Sequence, residues 1–304
     1  MVRSSRALPI LAALGAAVAA TLAGSASAVT IGCGSVLTAN TTLSADLQFC
    51  PGDGLVVAAD GITVNLAGHT IGGTGHGAGI RILNSGVVVK DGSVEGFFTG
   101  IQTNDFPRSA GTSVMRVSVS RNVGSGVAFY GFGETLSRSI VTSNGFDGVL
   151  LAGSDQTTID ANKISRNAVN GIDGRPHADG AAYTNNDVTE NGNDGIASVD
   201  STARAIIDNT TSRNGGDGID IRDTPGFASS YLFAANVADG NAGHGITACI
   251  LNIISGNLCE GGFVDGGGNA AKHNAIAPQC VNIACADNRG QARVTSVRAA
   301  EHAH

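Results

Sequence analysis

The chain has 304 residues, including 44 glycines, 6 prolines and no tryptophan, with 42% hydrophobic and 14% charged residues and a net charge of −7. Glycine at about one residue in seven is twice the usual share and excludes a helix bundle, where each interior glycine costs about 1 kcal/mol relative to alanine. Collagen is excluded because glycine does not recur every third residue, wholesale disorder because Val, Ile and Leu persist throughout, and nucleic-acid binding because Lys and Arg are neither abundant nor clustered.

Residues 1–28 read as a secretory signal peptide. Arg3 and Arg6 form a basic start, an apolar stretch runs from Ala7 to Gly24, and Ser25-Ala26-Ser27-Ala28 supplies an A-x-A cleavage site. An anchor helix, the rival reading, would be longer and richer in leucine. Without Arg3 and Arg6 the 18 basic residues fall to 16 against 25 acidic ones, a net charge of −9. The expectation is a secreted, extracellular monomer with no membrane span after signal cleavage, one domain over 29–286, and a polar C-terminal tail over 287–304.

Six cysteines suit export. They fall as Cys33 and Cys50, Cys249 and Cys259, Cys280 and Cys285. Six allow fifteen pairings, and the grouping favours three local bridges. A zinc site, the rival, would want C-x2-C pairs or matching histidines.

The body of the chain repeats. Six segments share Asn-x-x-x-Gly-[Ile/Val], starting at Asn122, Asn144, Asn167, Asn191, Asn214 and Asn241, at spacings of 22, 23, 24, 23 and 27 residues. Gly79-Ile80 and Gly100-Ile101 continue the pattern upstream without the asparagine. Between these anchors apolar residues alternate in twos, as in Val114-Met115-Arg116-Val117-Ser118-Val119, which means strands. A period near 23 residues with short strands predicts an all-β fold, a single-stranded parallel β-helix of about nine to ten coils. The leucine-rich signature is missing, and a propeller blade needs about 40 residues. Glycine is expected at corners for its backbone freedom, and the asparagine row as an internal amide ladder rather than a polar binding strip.

With these residues the chain resembles the right-handed parallel β-helix proteins of the pectate-lyase-like superfamily. The N-terminal coil, Asp46-Leu47-Gln48-Phe49-Cys50-Pro51-Gly52-Asp53-Gly54 and Gly61-Ile62-Thr63-Val64-Asn65-Leu66, is similar to that of secreted bacterial members. The resemblance implies a right-handed coil. It leaves function open, since the superfamily holds polysaccharide lyases, glycoside hydrolases, uronate epimerases, copper-delivery proteins and adhesins.

Candidate chemistry sits on the outward positions of the strand after each repeat glycine. Charge concentrates in two coils carrying Ile-Asp-x-Arg: Ile172-Asp173-Gly174-Arg175 and Ile219-Asp220-Ile221-Arg222. Two rungs apart, Asp173 and Asp220 should lie roughly 9–10 Å from each other. Asp173, His177 and Asp220 are the candidate catalytic residues, an acid and base able to move a proton. Arg175, Arg222, Asp200, Asp223 and Tyr130 are candidate substrate contacts, the arginines for a sugar carboxylate. The expected partner is an acidic polysaccharide or cell-envelope glycan, acted on by a lyase, epimerase or hydrolase. The alternatives are a non-catalytic envelope or surface binding protein, or a copper-delivery accessory protein. Asp173-Gly174-Arg175-Pro176-His177 is loosely similar to the Asp-Pro-His-[Glu/Asp] motif of mannuronan epimerases, which implies acid–base roles for Asp173 and His177, although Gly174 and Arg175 interrupt the motif.

Two weaker features complete the reading. Ser125, Asp147, Asn170, Asp194, Asp217 and His244 each precede a repeat glycine, and a structural calcium between Asp194 and Asp217 would relieve their repulsion. No other cofactor is expected. Copper would want a methionine or cysteine cluster, and the mature chain keeps only Met115. The aromatics Phe97, Phe98, Phe106, Tyr130, Phe132 and Phe146 are expected mainly to pack under loops.

Overall fold

A computed structural model describes residues 31–104, 108–199, 203–223, 232–252, 257–260, 263–286 and 292–293. The chain is wound into a right-handed solenoid of parallel strands. A front sheet takes one strand from every coil, running from Ser35–Leu37 through Val127–Phe129, Val149–Leu151, Ile172–Gly174, Ile196–Val199 and Ile219–Asp223 to Ile246–Asn252 and Cys280–Val281. Two further stacks close each coil, for example Thr158–Asp160 and Lys163–Ser165.

Register follows the predicted alternation. Val127, Val149, Ile172, Ile196, Ile219 and Ile246 are aligned rung upon rung, and all are fully buried. Each such side chain contributes about 1.5–3 kcal/mol of burial. Because the column passes through every coil, the core is a narrow continuous rod instead of a globular centre.

The asparagine row is the expected ladder. Asn191 Nδ2 donates to Asn214 Oδ1 at 3.0 Å, and Asn191 N–H donates to the same oxygen at 3.0 Å. The same pair of bonds recurs from Asn122 to Asn241 and on to Asn274. A second ladder, absent from the sequence reading, climbs the corner between the other two stacks through Asn162, Asn186, Asn209, Asn236 and Asn269. Each of these stands five residues ahead of an asparagine of the first ladder, in Asn-x4-Asn.

Glycines such as Gly61, Gly153 and Gly240 supply left-handed turns as expected, but the glycines of the repeat play a different part. The repeat glycines are not left-handed. A Cβ on Gly148 would lie 2.6 Å from Asn167 Nδ2 and 2.6 Å from Gly171 O, so glycine is required there by close approach to the ladder. Left-handed backbone is instead taken by the residue before each ladder asparagine, as at Ala161, Arg166, Asn185, Glu190, Asp208 and Arg213. The amide bonds of the following asparagine hold these strained corners in place.

Cys33–Cys50 and Cys280–Cys285 form disulfides near the two ends. Cys249 is disulfide-bonded as well, and the side chain of Cys259 lies outside the described residues. At the C-terminal end, Asn257–Glu260 pairs antiparallel with Ile246–Asn252. Ala292–Arg293, expected in the tail, pairs antiparallel with Cys285–Ala286, and the rest of 287–304 lies outside the described residues. Among the described residues no helix is long and apolar enough to cross a membrane.

Candidate functional site

The front sheet places the two charged rungs as the periodicity predicts. Asp173 is aligned with Ala197, and Ala197 with Asp220. Each aspartate is engaged by the arginine two residues on, whose side chain points to the same face. Arg175 Nε donates to Asp173 Oδ2 at 2.8 Å; Arg222 donates to Asp220 through Nε at 2.9 Å and Nη2 at 2.8 Å.

A third carboxylate joins the first rung. Asp147, placed one coil earlier, is fully buried, receives the N–H of Asn170 at 3.1 Å and meets Arg175 Nη2 at 3.5 Å. Burial pushes its carboxyl up to about 7, with the charge of Asp173 adding to the rise. The second rung repeats this plan two coils later: Asp194 takes the place of Asp147, Asp217 that of Asn170, Asp220 that of Asp173 and Arg222 that of Arg175. Burial pushes Asp194 up to about 6, reinforced by the charges of Asp220 and Asp217, and burial also raises Asp220.

The polar row before the repeat glycines is itself a ladder. Asp147 Oδ1 accepts from Asn170 N–H, Asn170 Oδ1 from Asp194 N–H at 3.1 Å, Asp194 Oδ1 from Asp217 N–H at 2.7 Å, and Asp217 Oδ1 from His244 N–H at 2.6 Å. Asp217 Oδ2 accepts from Thr247 Oγ1 at 2.7 Å. Backbone amides thus offset part of the repulsion between Asp194 and Asp217. Among the described residues no group of three His, Cys, Asp or Glu side chains is arranged to hold a metal ion.

Beside the first rung lies a groove with a cavity volume of about 370 Å³, lined by Phe98, Val123, Tyr130, Phe146, Leu150 and Arg175 among others. The Arg175 guanidinium lies over the Phe146 ring, 5.7 Å from its centroid. Phe98 and Phe146 are exposed, at 57% and 41%, so they form groove wall and not loop filling; Phe97 is fully buried in the core. Phe106 lies outside the described residues. Tyr130 is steadied from below: its N–H donates to Thr103 Oγ1 at 2.9 Å. The next turn is tied by buried Glu134, which accepts from Gly131 N–H at 3.1 Å and Ser154 Oγ at 2.7 Å. Burial raises the Glu134 carboxyl.

The remaining predicted residues are not gathered here. His177 stands exposed past the strand end with φ +69°, and among the described residues no hydrogen bond or ion pair holds its ring toward Asp173. Asp200 lies outside the described residues. Asp223 ends the strand Ile219–Asp223, and its side chain lies outside them too.

Residues 100–257 match the family described as the right handed beta helix region. The chain belongs to this family. As a right-handed β-helix, it is similar in structure to an alginate lyase from Paenibacillus sp., with a TM-score of 0.52 and 15% identity over 77% of this chain and 98% of that one. A pectate lyase aligns with a TM-score of 0.48 and 15% identity, covering 82% of this chain and 73% of that one. The Dettilon tailspike protein aligns with a TM-score of 0.45 and 18% identity over 84% of this chain, which spans 56% of the tailspike. No curated protein sequence matches. At such identities the likeness establishes the fold, and this β-helix must be read from its own side chains.

Those side chains offer guanidinium groups over buried carboxylates, next to an aromatic wall. The arrangement suits an anionic ligand with apolar ring faces, and beneath it burial holds the Asp147 carboxyl well above the usual carboxylate range.

Proposed function

We propose that this β-helix protein binds an acidic polysaccharide along its front sheet, in the groove between Phe98, Phe146, Tyr130 and Arg175. The observation that carries this reading is Arg175, which is held at its base by Asp173 and stacked on Phe146 at the groove wall. A guanidinium fixed in this way loses little entropy when it pairs with a sugar carboxylate, and the aromatic rings accept the apolar faces of pyranoses. Export fits the same picture: disulfides persist outside the cytosol. The proposed mature protein begins after Ala28, has one domain over 29–286 and a tail over 287–304, and is monomeric.

Binding without turnover is favoured by the way Asp173 and Asp220 are each occupied by an arginine, and by the isolation of His177. Catalysis on the same polymer is the second reading, with Asp173 as base and Asp147 and Arg175 positioning it. The buried Asp147–Asp173 pair favours that reading, since such pairs share a proton in many acid–base sites. Calorimetric titration with uronate polymers, alongside absorbance of newly formed unsaturated ends and NMR of sugar stereochemistry, tests both. Absence of binding to every acidic polymer would remove the proposal. Turnover abolished by Asp173→Asn with binding retained would establish the catalytic reading, and no turnover by the unaltered protein would remove it.

A further inference from the structure

The outermost positions of the front sheet carry a period of their own. Following the pairing coil by coil, Tyr130 is succeeded by Ala152, Arg175, Val199, Arg222 and Cys249. Large polar-tipped side chains therefore occupy every second rung, with a small or apolar residue between them. One rung rises roughly 4.8 Å, so Tyr130, Arg175 and Arg222 stand in a line with a spacing of about 9.6 Å along the solenoid axis.

The charge is layered in depth as well. Arg175 and Arg222 are 42% and 49% exposed, whereas Asp147, Asp173 and Asp220 beneath them are 0%, 14% and 7% exposed. A ligand lying on this face meets guanidinium groups first, and Nη1 of neither arginine engages a protein acceptor among the described residues. The rung between them offers Ala197 and half-exposed Val199, which present no charge.

A pyranose in an extended chain advances by about one rung, so two rungs correspond to two sugars. We infer that the protein reads the charge spacing of its polymer: it takes a linear glycan lying along the solenoid axis that presents one carboxylate to the protein for every two sugars, gripped by Arg175 and Arg222, with the intervening sugar over Val199 and the preceding one near Tyr130. The inference rests on the proposed binding of an acidic polysaccharide and adds its direction and its period. It is satisfied by an alternating uronate–neutral copolymer, and by a homopolyuronate whose successive carboxylates face opposite sides.

The test is calorimetry of the full chain with oligouronates of two, three, four and six sugars and with an alternating uronate–neutral hexasaccharide. The wild type should gain about tenfold in affinity between two and four sugars, when a second carboxylate reaches the other arginine. Arg222→Gln should erase that step, so that ligands of four and six sugars bind no more tightly than the disaccharide does, and Arg222→Lys should restore part of it. The alternating hexasaccharide should bind as tightly as the homopolymer of equal length. A smooth rise with length, equal losses for short and long ligands in Arg222→Gln, or a tenfold weaker alternating hexasaccharide would overturn the spacing while leaving the binding function standing. No binding of any oligouronate by the wild type would overturn both. Because Arg222 is half-exposed, an unchanged thermal melt of its variants serves as the folding control.

Discussion

Asn191→Ala removes one rung of the first asparagine ladder, and its cost can be worked out bond by bond. Asn191 is buried, at 2% exposure. Its Oδ1 accepts from Asn167 N–H at 3.1 Å and from Asn167 Nδ2 at 3.0 Å; its Nδ2 donates to Asn214 Oδ1 at 3.0 Å and to Ile164 O at 3.4 Å. The alanine variant keeps the backbone bond to Asn214 but strands two donors on Asn167, which is itself buried. A buried donor left unmatched costs about 1–3 kcal/mol, so the loss should be about 4 kcal/mol, or about 10 °C in Tm for a chain of this size. Asn191→Asp keeps the acceptors but sets a carboxylate oxygen against Asn214 Oδ1. It should be as unstable at pH 7 and recover part of the loss near pH 4, where a protonated acid can donate again. Thermal unfolding followed by circular dichroism, with amide exchange at Asn167, provides the assay. The exposed Lys163→Ala is the control, with an expected effect within about 0.5 kcal/mol. A shift below about 2 °C in Asn191→Ala, with the Asn167 amide still protected, would refute the view that the ladder stabilises the solenoid.

Gly148→Ala should be more damaging than a usual surface glycine substitution, by about 3 kcal/mol in urea unfolding, because its Cβ would lie 2.6 Å from both Asn167 Nδ2 and Gly171 O. Arg175→Gln should weaken uronate-polymer binding about tenfold in calorimetry, with Tm nearly unchanged. Asp147 is protonated in the fold up to about 7 but ionises near 3.8 when unfolded, so the unfolded state holds fewer protons between those values and stability falls as pH rises through that window. Asp147→Asn should flatten the decline in Tm across pH 4–7; an unaltered slope would contradict the assignment. Reduction of Cys33–Cys50, which closes a separation of 17 residues, should cost about 3 kcal/mol, read as a lower urea midpoint in the Cys33→Ser, Cys50→Ser variant.

The architecture was legible in the sequence because a solenoid writes itself at a fixed period. The alternation that aligns Val127, Val149 and Ile172, the ladder at Asn122 to Asn241 and the two Ile-Asp-x-Arg rungs all depend on local spacing, and local spacing survives in one dimension. The second ladder was equally periodic, at Asn162, Asn186 and Asn209, but a count anchored on the glycine corner passes over it. Three things required the tertiary structure. The reason for glycine at Gly148 is the distance to an asparagine 19 residues later, a contact between coils. The place of Asp147 under Arg175 depends on a separation of 28 residues and on burial that no turn propensity reports. The isolation of His177 follows from the path of the chain beyond the strand Ile172–Gly174, where the inserted Gly174-Arg175 turns a familiar-looking motif into an arginine on the sheet and a histidine in solvent. Sequence period thus determined which residues share a row, because each coil repeats the last. Burial and charge between neighbouring coils determined what each row does, because electrostatics and packing depend on distance in space.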